Sequence, residues 1–140
     1  MDLSAALDFA ARYRTGVLIT IRSDGRPQSS DVAYAVMDGI IKISVTDGRA
    51  KTTNMRRDPR AVLHVTQPDS WSYVSIDCDV ELSEVSTEPG DATGQELAAQ
   101  FEAVTGSPHE NWDEFFVAMV TDERLVVRLT PRSVVGQVNN

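Results

Sequence analysis

Apolar residues in this chain recur at two periods, and the switches between them divide it into elements. Leu3, Ala6, Leu7, Ala10 and Ala11 repeat at helical spacing, with Ser4, Asp8 and Arg12 on the rest of the circle. They predict a short amphipathic helix that ends before Thr15-Gly16. Val17 to Ile21 is an apolar, β-branched run and reads as a strand. Ser23-Asp24-Gly25-Arg26 supplies a hairpin turn, because Gly readily takes the positive φ such turns need. The next strand runs from about Gln28 to Met37. There Val32, Tyr34 and Val36 alternate with Ala33 and Ala35, so both faces are partly covered. Asp38-Gly39 turns the chain again, into Ile40 to Val45. Three strands joined by tight turns form an antiparallel meander.

Beyond Val45 the pattern changes. Asp47-Gly48 is a turn, Arg49 to Arg56 contains good helix formers without Gly or Pro, and Asp58-Pro59 ends any helix there. Ala61 to Thr66 is a fourth strand, and Gln67 to Ser70 a loop. In the next run Ser72, Val74, Ile76, Cys78, Val80 and Leu82 share one face. Trp71, Tyr73, Ser75, Asp77, Asp79 and Glu81 share the other, which is polar except at its two leading aromatics. Ser86 to Gly94 reads as a loop and Glu96 to Val104 as a helix. Asn111 with Glu114 resembles a capping box ahead of Phe115, Phe116, Met119 and Val120. Leu125 to Leu129 is a strand, and Ser133 to Val138 a last short one. About six antiparallel strands require closure, since open edges invite further pairing. The expected fold is therefore mainly β, a small antiparallel barrel with peripheral helices.

The length of 140 residues fits one domain, 1–140, able to bury a core without staples. The single cysteine, Cys78, cannot close an intrachain disulfide and alternates with core positions. No basic segment followed by an apolar block opens the chain, and no apolar run approaches about 18 residues. A cytoplasmic protein without membrane contact is expected. The formal net charge of -8 argues against nucleic acid as a partner.

Against that acidic background, Arg49, Lys51, Arg56, Arg57 and Arg60 crowd one short segment beside Thr52, Thr53 and Asn54. Cations in a first helical turn oppose the helix dipole, and a bound phosphate would offset that repulsion. The plain alternative is a solvated basic turn. Elsewhere the chain is poor in self-sufficient chemistry. His64 sits in a strand and His109 in a loop expected to be exposed; with one cysteine they make no zinc set. No Gly-x-Ser-x-Gly, no P-loop and no Gly-x-Gly-x-x-Gly is present. Asp77, Asp79 and Glu81 read as a solvated acidic face rather than a cation site. No catalytic side chain and no metal ligand is assigned, so any enzyme built on this chain must borrow its chemistry from a cofactor.

The run Arg49-Ala50-Lys51-Thr52-x-Asn54-x-Arg56-Arg57-Asp58-Pro59-Arg60-Ala61 follows Gly25-Arg26-Pro27-Gln28 and precedes Trp71-Ser72-Tyr73. This set resembles the split β-barrel flavin and deazaflavin oxidoreductases, also called pyridoxamine-phosphate-oxidase-like or FMN-binding-like. Within them it is most similar to the small actinobacterial enzymes that use coenzyme F-420, an 8-hydroxy-5-deazaflavin. The resemblance spans nearly the whole chain and is weakest around Thr87 to Gly94. It implies a six-stranded antiparallel split β-barrel and a homodimer with the cofactor at its interface. It also implies hydride transfer between the deazaflavin and a small-molecule substrate. Arg49 and Lys51 would grip the phosphate, with Thr52, Thr53 and Asn54 beside them. Ser44 and Val45 of the preceding strand would contribute, the ring would lie near Gln28, Ser29, Ser30 and Asp31, and Trp71 and Tyr73 of the other subunit would close the pocket. Close relatives are expected to carry Asn where this chain has Asp31, and an acid there disfavours a negatively charged ring. Arg56, Arg57 and Arg60 add positive charge for the carboxylate tail of F-420, a tail that FMN lacks. The competing readings are an FMN-dependent oxidase or reductase, a non-catalytic F-420 carrier, and an anion- or nucleic-acid-binding module using Arg56-Arg57.

Overall fold

A computed structural model of the protein describes residues 1–139. Six strands close into an antiparallel barrel in the order β1-β2-β3-β6-β5-β4, with four helices around it. The strands are β1 (Thr15–Ile21), β2 (Pro27–Met37), β3 (Ile40–Thr46), β4 (Arg60–Gln67), β5 (Ser72–Leu82) and β6 (Arg124–Gln137). The helices are α1 (Leu3–Ala10), α2 (Ala50–Arg57), α3 (Ala92–Thr105) and α4 (Trp112–Thr121). The meander read from the sequence is present as β1-β2-β3. Its second turn has positive φ at both Asp38 and Gly39, 54° and 77°, which suits the twist of a two-residue hairpin.

Alternation decides what fills the barrel. Leu18, Val32, Tyr34, Ile41, Ile43, Leu63, Val65, Val74, Ile76, Leu125, Val127 and Leu129 all point inward and are buried. Cys78 joins them as expected, and burial pushes its thiol up to about 12. Ala6, Phe9 and Ala10 of α1 enter the same core, and the Tyr34 hydroxyl donates to the Ala10 carbonyl at 2.6 Å. Met55 of α2 enters it as well. A second, smaller core joins α3 and α4 to the barrel through Leu97, Ala98, Phe115 and Val126.

Four readings of the sequence are corrected. First, β6 is one strand rather than two. Pro131 lacks an N–H, and the β5–β6 register shifts between Asp77 and Cys78, so that Ser133 pairs with Asp77 while Pro131 pairs with Cys78. The bulge leaves Arg132 as the extra residue and lets the strand run through the proline. Second, α3 starts at Ala92, not near Glu96. Asp91 caps it by accepting from the Gly94 amide at 2.7 Å, and Gly94 is packed inside the helix rather than breaking it. Third, Trp71 is not on the polar face of β5. It ends a single 3-10 turn in the left-handed region, and the strand begins only at Ser72. Fourth, His109 is half-buried, packed among Phe101, Trp112 and Phe115. The Asn111 cap stands, its side chain accepting from the Glu114 amide at 3.1 Å.

Candidate functional site

The basic segment forms α2, and its first turn opens onto a cleft of about 430 Å³ between β2, β3, α3 and the start of β6. Lys51 and Arg124 stand at one side of this cleft and Asp31 lines its β2 wall. Arg124 carries no signal in the local sequence. The β3–β6 register sets it opposite Thr46, directly before the turn that leads into α2, and so delivers it to Lys51. Its Nη1 reaches the Ser44 carbonyl and hydroxyl only at 3.5 Å each, and its buried Nε has no partner among the described residues. An orphaned buried guanidinium N–H is costly to leave unmet, so Arg124 is held beside the cleft without the partners that would offset its burial.

The electrostatics agree. Lys51 is pulled below its usual value, first by desolvation, then by the charges of Arg124 and Arg49. Among the described residues no carboxylate lies within salt-bridge distance of Arg49, Lys51 or Arg124. The N-cap of α2 is Arg49, which supplies no side-chain cap, whereas Asp2, Asp91 and Asn111 cap the other three helices. Three cations and uncapped helix N–H groups thus converge without a counter-ion, and an anion is the chemistry that fits.

Not every residue named from the sequence reaches this cleft. Asp31, Ser44 and Lys51 line it, and Arg49 stands at the N-terminus of α2 beside it. Thr52 is fully buried and its hydroxyl donates to the Thr46 carbonyl at 2.9 Å, so only its main chain is free to meet a ligand. The Val45 side chain is in the barrel core. Thr53 is exposed on α2, its amide bonded to the Arg49 carbonyl. Asn54 faces inward, donating to Thr20 Oγ1 and Gln28 Oε1 at 3.1 Å each and accepting from Arg57. It anchors α2 to β1 and β2, and it holds Gln28. Ser29 and Ser30 lie further along β2 and do not line the cleft.

The charge reserved for a cofactor tail is also engaged within the chain. Arg56 pairs with Asp47 at 2.7 Å, Arg60 with Asp58 at 2.8 Å, and Arg57 donates to the Ile21 carbonyl and to Asn54. The acidic strand face is likewise occupied: Asp79 pairs with Arg132, Glu81 with Arg128, and Asp77 accepts from Ser133. No group of three or more potential metal ligands occurs among the described residues.

Trp71 and Tyr73 line a separate cavity of about 350 Å³ with His64. That cavity shares His64 and Thr66 with a third one of about 450 Å³, which in turn shares Asp31 with the cation-lined cleft. The three are neighbours on the outside of the barrel, each bordering the next through these shared residues.

A closed six-stranded antiparallel barrel flanked by a basic helix defines the split-barrel class. The model of the pyridoxamine 5'-phosphate oxidase family matches residues 4–137, and the chain belongs to that family. Among solved structures it is similar to the conserved hypothetical protein Rv2991 from Mycobacterium tuberculosis. Identity there is 28%, covering 97% of this chain and 84% of that one, with a TM-score of 0.75. It shares the fold of an F-420 reductase at 22% identity, covering 94% of each chain, with a TM-score of 0.65. It also shares the fold of a heme-binding protein from Mycobacterium smegmatis at 23% identity and a TM-score of 0.72, matching 96% of this chain but 53% of that one. No helix among the described residues is long and apolar enough to cross a membrane.

Proposed function

We propose that the protein is an oxidoreductase that uses coenzyme F-420 to exchange a hydride with a small organic substrate. The observation that carries this reading is the uncompensated group of Lys51, Arg124 and Arg49 at one side of the cleft. Lys51, Arg124 and the first N–H groups of α2 would hold the cofactor phosphate, with Ser44 along the wall and Asp31 toward the ring. When bound, the deazaflavin supplies the hydride chemistry. The chain's own residues orient it and exclude water, and none of them is asked to act as an acid or nucleophile. The motif set around Arg49 to Ala61 and the shared fold with an F-420 reductase favour F-420.

A second reading, FMN in place of F-420, has its own support. Arg56, Arg57 and Arg60 are engaged within the chain, which leaves a single anion clamp, and FMN needs no more than one. The ion pairs of Arg56 and Arg60 are exposed, and such pairs exchange partners at a cost of about 1 kcal/mol or less, so a polyanionic tail can still recruit these arginines. Calorimetric titration of apo-protein with each cofactor at low and moderate salt separates the two readings. Tighter binding of F-420 that weakens as salt rises is the expected result. Tighter binding of FMN, or purification of the protein already yellow with it, reassigns the cofactor.

The functional unit in this proposal is a homodimer. Val17, Ile19 and Val62 form a half-buried apolar row on the outside of β1 and β4, and Trp71 and Val135 are among the most exposed large apolar residues. Sedimentation at micromolar concentration is expected to give twice the chain mass of 15.4 kDa. A monomer that persists with cofactor present removes the shared-site arrangement.

A further inference from the structure

The chain contains two lysines, Lys42 and Lys51, and the fold gives them opposite surroundings. Lys42 on β3 is masked. Its ammonium pairs with Glu96 at 3.2 Å, and hydrogen bonds from Arg128 first and Lys42 next hold the Glu96 carboxyl below its usual range. Lys51 in the first turn of α2 is half-buried at the 430 Å³ cleft and has no carboxylate within salt-bridge distance among the described residues. Its charged neighbours are Arg124 from β6 and Arg49 at the α2 N-cap. Asp31 on β2 is the other charged residue lining the cleft, and β3 and α3 contribute no ionisable side chain to it.

These surroundings make a nucleophile of a lysine. Desolvation, then the charges of Arg124 and Arg49, hold the Lys51 amine below its usual value, which raises the share of the neutral, reactive form. The same cations attract anions. A phosphate held by Arg124 and the first N–H groups of α2 brings whatever acyl group it bears beside the Lys51 amine. The two arginine charges offset the two charges of an acyl phosphate, so the bound ion does not drive the amine back to ammonium.

We propose that Lys51 is a site of covalent acylation by small acyl phosphates, which the cation cluster recruits, and that acylation closes the cleft to phosphate-bearing cofactors. The Lys51 Nζ lone pair attacks the acyl carbon, a C–N bond forms, and the C–O bond to phosphate breaks. The proton released by the amine leaves on the phosphate, so one amide and one hydrogen phosphate dianion are the products. Arg49 and Arg124 favour the negative charge that develops on the acyl oxygen and on the leaving group. The amide has no charge and no longer holds a phosphate. The step rests on the anion-holding part of the function proposed above and is independent of which ring the cofactor carries.

The test uses the cofactor-free full chain, acetyl phosphate as donor and mass spectrometry of the digested protein. Lys42 is the internal reference, and the Met1 amine reports background acetylation. Lys51 is expected to react about tenfold or more faster than Lys42. With p-nitrophenyl acetate, a donor without phosphate, that preference is expected to be smaller by about threefold or more. Excess inorganic phosphate is expected to slow acetylation of Lys51 by acetyl phosphate about tenfold and to leave Lys42 unaffected. Arg124→Gln is expected to slow Lys51 similarly, with an unchanged Lys42 rate reporting an intact fold. The Lys51 rate is expected to rise with pH up to the lowered value of its amine and then level off. Acetylated protein is expected to bind F-420 and FMN about tenfold or more weakly in calorimetry. Equal rates at the two lysines, or the same preference with both donors, overturn the site. A Lys51 rate indifferent to both phosphate and Arg124→Gln overturns the role of the cation cluster, and unchanged cofactor affinity after acetylation overturns the closure. Selective, phosphate-blocked acetylation in a protein that takes neither F-420 nor FMN keeps this site and discards the cofactor reading. Cofactor binding without selective acetylation does the reverse.

Discussion

Lys51→Ala is expected to lower affinity for a phosphate-bearing cofactor by about one to two decades and to leave the melting temperature almost unchanged. A charge-assisted contact to an anion is worth about 1.5–3 kcal/mol, which sets that range. The fold has little to lose, because Lys51 makes no ion pair among the described residues and its ammonium is held at a cost. Its value lies below the usual lysine value of 10.5, through desolvation first and the charges of Arg124 and Arg49 next. Between the lowered folded value and the ordinary one, the unfolded chain binds more protons than the folded one. Stability contributed by this group therefore rises with pH through that window, and the penalty is complete below it. Ligand affinity runs the other way, falling as pH rises through the lowered Lys51 value, since the neutral amine no longer attracts the phosphate. Lys51→Arg is expected to retain binding at alkaline pH where the native lysine loses it. Calorimetry with F-420 and with FMN, paired with thermal melts of the apo-protein, checks all of this. Unchanged affinity in Lys51→Ala removes it from the site.

The parts of the molecule legible from sequence are those decided by neighbours along the chain. Alternation at Val32, Tyr34 and Val36, the turn at Asp38-Gly39, the stop at Asp58-Pro59 and the cap at Asn111 all follow from local rules, and the barrel follows from their sum. What was hidden depends on register. Pro131 reads as a strand breaker until the bulge opposite Asp77 absorbs it. Trp71 fits the alternation of β5 by spacing alone, and only the 3-10 turn at Pro68–Ser70 rotates it out of the strand. Arg124 sits in an ordinary strand start far along the chain from Lys51, and no local pattern connects them; the pairing of β3 with β6 does. The same blindness works in reverse for Arg56, Arg57 and Arg60. Their clustering suggested a free cationic field, yet Asp47, Asp58 and the Ile21 carbonyl lie within reach once the chain is folded. Charge density in a sequence counts ions, whereas a binding site depends on the ions left without partners.

Asn54 separates these two roles most sharply, since its place in the basic motif suggests a ligand contact and its geometry assigns it to the scaffold. Asn54→Ala is expected to destabilise the protein by about 2–3 kcal/mol, a fall in melting temperature of roughly 6–9 °C for a chain of this size. The side chain is only 6% exposed and makes three hydrogen bonds, to Thr20, Gln28 and Arg57. Gln28 is half-buried and Arg57 exposed, so water can replace Asn54 there at small cost. Thr20 is 1% exposed, and the void beside it is too enclosed to be refilled cheaply. Most of the loss arises at that point. Asn54→Asp is expected to be little better, because a carboxylate keeps the bond from Arg57 but cannot donate to Thr20 or Gln28. Cofactor affinity, measured well below the melting transition, is expected to fall by less than in Lys51→Ala, because α2 remains attached through Met55 and the Thr52–Thr46 bond. The opposite pattern, a large loss of affinity with an unmoved melting temperature, would turn Asn54 into a ligand contact and require its side chain to leave Thr20 when the cofactor binds.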